Sequence, residues 1–278
     1  MQAQTLSSHS SATRDGEQAQ PWDCDLLVVG SGAGALSTAV TAAHLGLKVI
    51  VVEKDPHFGG TTAWSGGWMW IPRNPLALQG GIAEPIEKPL SYLRHELGEQ
   101  FDESRARMFL THGPRMVRFF QEHTALQFID GNSIPDFHGR TPDAVLGGRS
   151  VCAAPFNGRL LGSRIQQLKT PLLETTFLGM GIASGAEIRH FFNALRAWAS
   201  FWYVAKRVAR HLLDWVFHGR GMHLVNGNAL VAALAKSAFD VGVEIRVNCP
   251  AVRLLTENTS DGQTKVRGAV VLQHGSEI

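Results

Sequence analysis

Hydrophobic residues near the start of the chain fall into two short runs, separated by a glycine turn and an alanine-rich segment. Asp25–Val29 and Lys48–Val52 are apolar and rich in β-branched residues, which is typical of buried strands. Ala33–Leu45 has the composition of a helix, and Glu53 directly follows the second run. This order of strand, turn, helix, strand and acid predicts a βαβ unit with two parallel strands.

The turn between the first strand and the helix has the glycine spacing of a dinucleotide site. Gly30 permits a tight turn, Gly32 lets a pyrophosphate approach the backbone, and Ala35 allows the helix to pack closely on the strand. The helix N-terminus offers unpaired N–H groups to the phosphates. Glu53 follows Gly30 by 23 positions, near the roughly 20 at which an acid binds the ribose hydroxyls. A glycine turn in another kind of βαβ unit is the structural alternative.

A second glycine-rich segment, HFGGTTAWSGG at residues 57–67, follows the acid. Its glycines and hydroxyl side chains suit contacts along an extended cofactor, whereas a nicotinamide domain would continue into a helix here. This favours FAD over NAD, with an ordinary surface loop as the alternative. The predicted cofactor-binding residues of the two segments are Gly30, Ser31, Gly32, Ala33, Gly34, Ala35, Glu53, Lys54, Gly59, Gly60, Thr61, Thr62, Ser65, Gly66 and Gly67.

The motifs VVGSGAGAL, VVEKDPHFGGTTAWSGG and WMWIPRNP resemble flavoproteins of the fumarate reductase and succinate dehydrogenase superfamily, above all 3-ketosteroid Δ1-dehydrogenase-like FAD-dependent oxidoreductases. The later segments PDFHGRTPDA, GGRSVCAAPFNGR and GRGMHLVNGNALVAALAKSA agree with this resemblance. It implies an α/β fold: a Rossmann-like FAD-binding domain of the glutathione reductase type, with a helical insertion and a small antiparallel β element. It also implies a backbone contact from Ala251 to the adenine.

Apolar residues recur at helical spacing in several later segments. Ile86–Leu97, Glu103–Phe120 and Ala229–Phe239 are predicted helices. Asp130–Arg159 is rich in glycine and proline and is predicted to be a loop. Val243–Val247 is the next β-type run, expected to join the parallel sheet. We expect the helical insertion to span about residues 84–218 of a domain that occupies residues 23–278.

Residues 187–217 are predicted to form one long helix or two. One interpretation is a basic amphipathic surface that rests on a membrane. The favoured interpretation is a core-packed helix with a solvated basic face, and no apolar run is long enough to span a bilayer. The apolar positions are Phe191, Leu195, Trp198, Trp202, Ala205, Ala209, Leu212 and Val216, and the basic ones are Arg189, Arg196, Lys206, Arg207 and Arg210.

Two β-type runs lie near the end of the chain. Val252–Thr256 and Val266–Gln273, joined through Asp261-Gly262, are predicted antiparallel strands. The resembled family continues beyond this point with a substrate-capping catalytic domain and a final FAD segment. We therefore expect this chain to be a fragment or truncated form that holds the first FAD portion.

Composition and charge argue against nucleic-acid binding, a disulfide framework, a metal site and secretion. The net charge is +2 with no basic run interleaved with aromatics, which argues against a nucleic-acid partner. The three cysteines, Cys24, Cys152 and Cys249, are far apart and predict neither a disulfide framework nor a metal site. Residues 1–22 are polar and predicted to be a disordered tail, not a secretory signal. A cytoplasmic protein is expected, at the membrane periphery if the long helix rests there.

The reaction is expected to come from the flavin, because the protein supplies binding, orientation and electrostatics. The resemblance implies dehydrogenation or reduction of a C–C bond adjacent to a carbonyl, with hydride transfer at flavin N5. It also implies a small-molecule, steroid-like substrate and a separate electron acceptor. The related Δ1-dehydrogenases use tyrosines, but the tyrosine of their Pro-Asp-Tyr loop corresponds to Phe137 here. No catalytic residue is assigned from the sequence.

Two other functions stay open. A fumarate reductase-like enzyme would bind a small dicarboxylate through arginine and histidine, for which His138, Arg140 and Arg149 are available. Loop packing is the alternative role for these three residues. The chain could also be a catalytically incomplete FAD-binding fragment. His57 is three positions out of register with the histidine that links flavin in succinate dehydrogenases, so non-covalent FAD is expected.

Overall fold

The computed structural model describes residues 21–183, 187–259 and 262–278. The predicted tail lies outside the described residues except for its last two positions, and Asp261 of the predicted turn also lies outside them. The α-helices are α1 Ala33–His44, α2 Pro75–Gln79, α3 Glu87–Leu97, α4 Glu103–His123, α5 Ile188–Phe192, α6 Trp198–His218 and α7 Asn226–Asp240. The strands are β1 Leu26–Val29, β2 Val49–Val52, β3 Trp68–Trp70, β4 Phe128–Asp130, β5 Ser150–Ala153, β6 Phe156–Asn157, β7 Thr176–Phe177, β8 Met180–Gly181, β9 His223–Leu224, β10 Glu244–Arg246, β11 Ala251–Asn258, β12 Thr264–Gln273 and β13 Ser276–Glu277.

A three-stranded parallel sheet forms the centre of the fold, in the order β1-β2-β10. All four residues of β2 are buried, as expected for a continuous β-branched run inside a parallel sheet. Helices α1 and α7 contribute to the same core cluster, and α7 is buried along most of its length because it is apolar on nearly every side. The predicted βαβ unit and the predicted third parallel strand are confirmed.

The antiparallel element also forms as predicted. β11 pairs with β12 through a register that places Ala251 opposite Val271 and Asn258 opposite Thr264, and β13 adds a short third strand. Most side chains of β11 are exposed. The element lies outside the main core, and Val271 of β12 packs with Ile50 and Val52 of β2 in a separate small cluster.

The segment predicted as a helical insertion contains helices and also short strands. α3 and α4 confirm the two predicted helices, but the prediction of a loop over 130–159 was partly wrong. β5 lies in the middle of a three-stranded antiparallel sheet, between β3 and β4. Its partners are far away along the chain, and Val151 and Cys152 are buried against them. The glycine- and proline-rich composition of residues 130–159 therefore could not predict a strand whose partners are distant in sequence.

Helix α6 contradicts the favoured interpretation of residues 187–217, which was a core-packed helix with a solvated basic face. Its buried residues are polar, namely Ser200, His211 and Asp214, while Trp198 and Trp202 are 76% and 64% exposed. The polar residues are buried because the fold supplies partners. Asp214, for example, accepts hydrogen bonds from Arg159 and from the Met222 N–H. Helix α6 therefore does not pack its apolar side into a core. Among the described residues no helix is long and apolar enough to cross a membrane.

Candidate functional site

The first part of the candidate site is the turn that connects β1 to α1. Gly30 has a φ of +93°, which a glycine adopts without strain, and its N–H donates to the Val52 carbonyl at 2.7 Å. α1 then begins at Ala33, and its N-cap residue, Gly32, has no side chain that could cap the helix. The first turn contains no acidic residue. This helix N-terminus therefore presents N–H groups and a positive dipole end without a built-in anion.

Ser31 and Glu53 join the ends of the two neighbouring strands. The Ser31 hydroxyl donates to Glu53 Oε2 at 2.5 Å, and the Ser31 N–H donates to the same oxygen at 3.0 Å. The other carboxylate oxygen accepts the Asp55 N–H at 3.0 Å, and the Gly59 N–H donates to Ser31 Oγ at 2.9 Å. The Glu53 side chain is thus held at the carboxyl ends of β1 and β2, where ligands of such sheets bind.

The second glycine-rich segment folds directly onto the first. It contains a 3₁₀ helix, Gly60–Trp64, in which Thr62 Oγ1 accepts the Ala33 N–H at 3.0 Å. A Cβ atom on Gly32 would lie 3.3 Å from that same hydroxyl. The two segments predicted to bind one cofactor are therefore in contact. They can lie this close together because Gly32 has no side chain.

The start of α7 closes the other side of this segment. The Gly227 N–H donates to the Ser65 carbonyl at 2.9 Å. A Cβ atom on Gly227 would lie 1.9 Å from the Thr62 carbonyl oxygen, and one on Gly67 would lie 2.6 Å from the Asn226 carbonyl carbon. Backbone therefore packs on backbone here, and only glycine fits.

The remaining predicted residues border this centre. Asn248 and Cys249 donate their N–H groups to the Asp55 and Glu53 carbonyls at 3.1 and 2.8 Å, which brings the start of β11, and with it Ala251, beside the acid. The solvent-exposed members of the predicted set are Gly34, Lys54, Thr61, Ser65 and Gly66. The half-buried ones are Gly30, Gly32, Ala33, Ala35, Gly60, Thr62 and Ala251, and the buried ones are Ser31, Glu53, Gly59 and Gly67.

Several contacts of the site were missed from the sequence. We call residues 57–67 the cofactor segment, after their predicted role. Phe58 exchanges backbone hydrogen bonds with Gln167 and Lys169, which links this segment to a region about a hundred residues later. Lys169 Nζ also donates to Asp55 Oδ2 at 2.6 Å, and this hydrogen bond holds the pKa of Asp55 below its ordinary value. Lys169 lies over the Trp64 ring, 4.7 Å from its centroid. No local motif marks Lys169, so its role could be found only from the fold.

A cavity of about 300 Å³ opens between the cofactor segment, α6 and the start of α7. Trp64 and Ser65 line one side, and Arg207, His223 and Asn228 line the other. Three buried polar atoms here have no hydrogen-bond partner among the described residues: Arg207 Nε, His223 Nε2 and Asn228 Oδ1. Because unpaired buried polar atoms are costly, a water molecule or a polar ligand in this cavity would be stabilised by them.

His223 makes the stability of this region depend on pH. Burial, and to a lesser extent Arg207, lowers the pKa of His223 from 6.5 to about 4. The unfolded chain therefore binds a proton below pH 6.5 that the folded chain binds only near pH 4. We expect the free energy of unfolding to fall by about 3 kcal/mol between these limits. Urea denaturation at pH 7 and pH 4 measures it. His223→Gln is expected to show a smaller fall, and an equal fall in both proteins would contradict this account.

The three residues considered for carboxylate binding do not form a clamp. Arg149 is 1% exposed, and its guanidinium is already paired with Glu84 at 2.7 Å and with Asp136 at 2.8 Å. His138 is hydrogen-bonded to Glu96, and Arg140 is exposed. The packing interpretation is therefore correct for Arg149. Phe137, at the position of the family tyrosine, is 95% exposed.

These residues fit a dinucleotide. A helix N-terminus with no acidic residue in its first turn suits a pyrophosphate, and a carboxylate at the end of β2 suits a ribose. The fold and site define a flavin- or nicotinamide-binding Rossmann-type domain. The family model described as "FAD binding domain" matches residues 25–278, and the chain belongs to this family. The predicted fold class and the predicted cofactor, FAD, are confirmed.

Comparison with known proteins confirms the resemblance. A 4-oxocyclohex-2-ene-1-carboxylate 5-dehydrogenase from Sinomonas cyclohexanicum is 35% identical over 89% of this chain and 41% of its own length. The crystal structure of 3-ketosteroid delta1-dehydrogenase from Sterolibacterium denitrificans, in complex with 1,4-androstadiene-3,17-dione, has a TM-score of 0.81 and 31% identity over 92% of this chain and 45% of that one. A flavocytochrome c3 fumarate reductase, at a TM-score of 0.50 and 16% identity over 94% of this chain and 35% of that one, shares the fold. The chain spans less than half the length of these relatives.

Proposed function

We propose that this chain is the cofactor-binding part of an FAD-dependent oxidoreductase that dehydrogenates or reduces a C–C bond adjacent to a ring carbonyl. The observation that carries the proposal is the likeness, over 89% of the chain, to a dehydrogenase whose substrate name places a ring ketone next to the oxidised carbon. The steroid complex of the similar structure supports a ring ketone of steroid type as the substrate. When bound, FAD supplies hydride transfer at N5, and a separate acceptor reoxidises it.

We propose a role for each predicted cofactor residue. The α1 N-terminus, from Gly32 to Ala35, binds the pyrophosphate, and Glu53 binds the ribose hydroxyls of the adenosine. Ala251 lies along the adenine, and residues 59–67 follow the cofactor toward its flavin end. We propose that the flavin is bound non-covalently, because His57 is out of register with the linking histidine of succinate dehydrogenases; its Nδ1 lies 3.4 Å from Asp55 Oδ1.

The cavity beside Trp64 and Ser65 is the proposed place of the substrate. It adjoins the segment that would follow the flavin half of the cofactor, and its unpaired atoms suit a ligand that carries oxygen. Arg207 Nε can donate to a carbonyl or carboxylate oxygen, and Asn228 Oδ1 can accept from a hydroxyl or amide. Arg207 and Arg210 also favour the second candidate, a fumarate-type reaction on a small dicarboxylate.

The test is the visible spectrum of the purified chain after addition of FAD and desalting, followed by substrate-dependent reduction of an electron-accepting dye. We expect retained flavin that acid releases. Dye reduction with a 3-oxosteroid or an oxocyclohexanecarboxylate would show that this chain also carries out the reaction. Turnover linked to fumarate alone would favour the second candidate. Retained flavin without any turnover would identify this chain as a catalytically incomplete FAD-binding fragment.

Gly32→Val is expected to weaken FAD binding. A branched side chain at this position would press on Thr62 Oγ1, 3.3 Å from the Cβ position, and fill the space for the pyrophosphate. We expect the dissociation constant to rise roughly tenfold or more, equivalent to about 1.4 kcal/mol. Flavin fluorescence quenching measures it. Thr38→Val, on the exposed side of α1, is the control, and equal affinity in both variants would contradict the pyrophosphate assignment.

We also propose a cytoplasmic location at the membrane periphery. Cys24, Cys152 and Cys249 are all free thiols, which fits a reducing compartment. The exposed apolar side of α6 supports contact with a membrane. A cell fractionation that recovers the full-length protein with membranes, and releases it in high salt, would support this location. Recovery only in the soluble fraction at low salt would reject it.

A further inference from the structure

Helix α6 carries a continuous apolar face that points to solvent. We call this face the α6 stripe and define it as Trp198, Trp202, Ala205, Ala209, Leu212 and Val216. Its steps of three and four residues place these side chains on one side of the helix. Trp198, Trp202 and Val216 are 76%, 64% and 71% exposed. Because an α-helix rises 1.5 Å per residue, the stripe is roughly 30 Å long.

Further apolar side chains widen the stripe at both ends. Phe192 and Leu195, before the start of α6, are 76% and 96% exposed. Trp215 and Phe217, at its end, are 62% and 75% exposed. Single exposed apolar residues are ordinary, but a contiguous patch of this extent marks a binding surface. The high tryptophan content suits a boundary between water and hydrocarbon, where an indole ring is stable.

The charges around the stripe identify its occupant. Arg189, Arg196, Lys206 and Arg210 are exposed, whereas the acids of residues 187–218, Glu187 and Asp214, are half-buried and buried. Every exposed charge described on this segment is therefore positive. A folded protein partner favours a contact surface depleted in charged residues. A bilayer with anionic headgroups instead attracts cations that flank an apolar face.

The opposite side of α6 faces the cavity. Arg207, His211 and Asp214 line the cavity, and Trp215 belongs to both the cavity lining and the exposed surface. A helix that lies on a bilayer by its stripe would thus hold the cavity next to the lipid. An apolar ring ketone concentrates in lipid, so this arrangement would shorten its path to the site. Only this functional benefit rests on the proposed function.

We propose that residues 187–218 form a membrane-binding surface for an anionic bilayer. The α6 stripe enters the boundary between headgroups and acyl chains, and the exposed cations Arg189, Arg196 and Lys206 meet the lipid phosphates. The helix lies in the membrane plane and does not cross it. Binding needs neither flavin turnover nor substrate.

Sedimentation of the full chain with vesicles tests the proposal, using phosphatidylcholine alone and a mixture with phosphatidylglycerol. We expect binding to the anionic vesicles with a blue shift of tryptophan emission, and weaker binding in high salt. The double variant Trp198→Ser/Trp202→Ser is expected to lose roughly tenfold or more in partitioning. The matched control is Leu45→Ser/Leu146→Ser, two residues 75% and 87% exposed outside this segment, and it is expected to bind as the parent does.

Charge is tested by Arg189→Gln/Arg196→Gln/Lys206→Gln, which is expected to remove the preference for anionic vesicles. Absence of vesicle binding, or an equal loss in the leucine control, would overturn the proposal. So would lipid-free self-association that the tryptophan variant abolishes, because the stripe would then be covered by a second copy. Flavin loading and dye reduction are measured on the same samples. A chain that binds vesicles but retains no flavin supports the surface and rejects only the proposed cofactor-binding role.

Discussion

Replacing Arg149 by methionine is expected to lower the free energy of unfolding by about 3–5 kcal/mol. The side chain is 1% exposed and donates to Glu84 and Asp136, while Trp70 Nε1 also donates to Asp136 at 2.7 Å. Removing the guanidinium leaves two carboxylates without their cation in a region that water barely reaches. Methionine keeps much of the apolar volume, so the measured loss reports chiefly on the charge. Urea denaturation at pH 7 measures it.

The control for this variant is Arg267→Met. Arg267 pairs with Glu257 at 2.6 Å, but their side chains are 61% and 57% exposed. Because water solvates both ions in the unfolded and folded chain, we expect a loss of less than about 1 kcal/mol. Similar losses in the two variants would mean that burial does not determine how much the ion pairs of Arg149 with Glu84 and Asp136 contribute to stability. Triple replacement Arg149→Met/Asp136→Asn/Glu84→Gln is expected to recover part of the stability.

Gly227→Ala is expected to destabilise the chain by about 3 kcal/mol or more, and to release FAD, through overpacking. The added methyl carbon would lie 1.9 Å from the Thr62 carbonyl oxygen and 2.4 Å from Ser65 Oγ. Since both contacts belong to the cofactor segment, relief of the clash must move that segment or the start of α7. Thermal unfolding and flavin retention measure the two effects on one sample.

Gly139→Ala is the matched control for this glycine. Nothing lies within 4 Å of a Cβ atom at Gly139, and its φ lies outside the positive range that disfavours alanine. We expect no loss of stability beyond about 0.5 kcal/mol and no loss of flavin. A Gly227→Ala variant as stable as this control would show that α7 and the cofactor segment can separate without cost.

The cofactor half of the site was predictable because each part of it leaves a local mark. Gly30 and Gly32 are needed for the turn, Glu53 ends an apolar strand, and residues 57–67 combine glycine with hydroxyl side chains. A βαβ unit brings these marks to one edge of the sheet whatever the rest of the chain does. The sequence alone therefore determined the α/β fold, the parallel strands and the FAD family.

Tertiary structure decided which side chains are buried in the inserted region. Arg149 sits in a loop-like sequence, yet its carboxylate partners come from positions 65 and 13 residues away. The cavity joins Trp64 to Asn228, residues from opposite ends of the domain. Helix α6 has the same periodic pattern whether its apolar side faces a core or the solvent, because periodicity defines a face and not what covers it. Only the tertiary structure, in which His211 and Asp214 are buried, shows that the polar face of α6 is covered and that the α6 stripe is exposed.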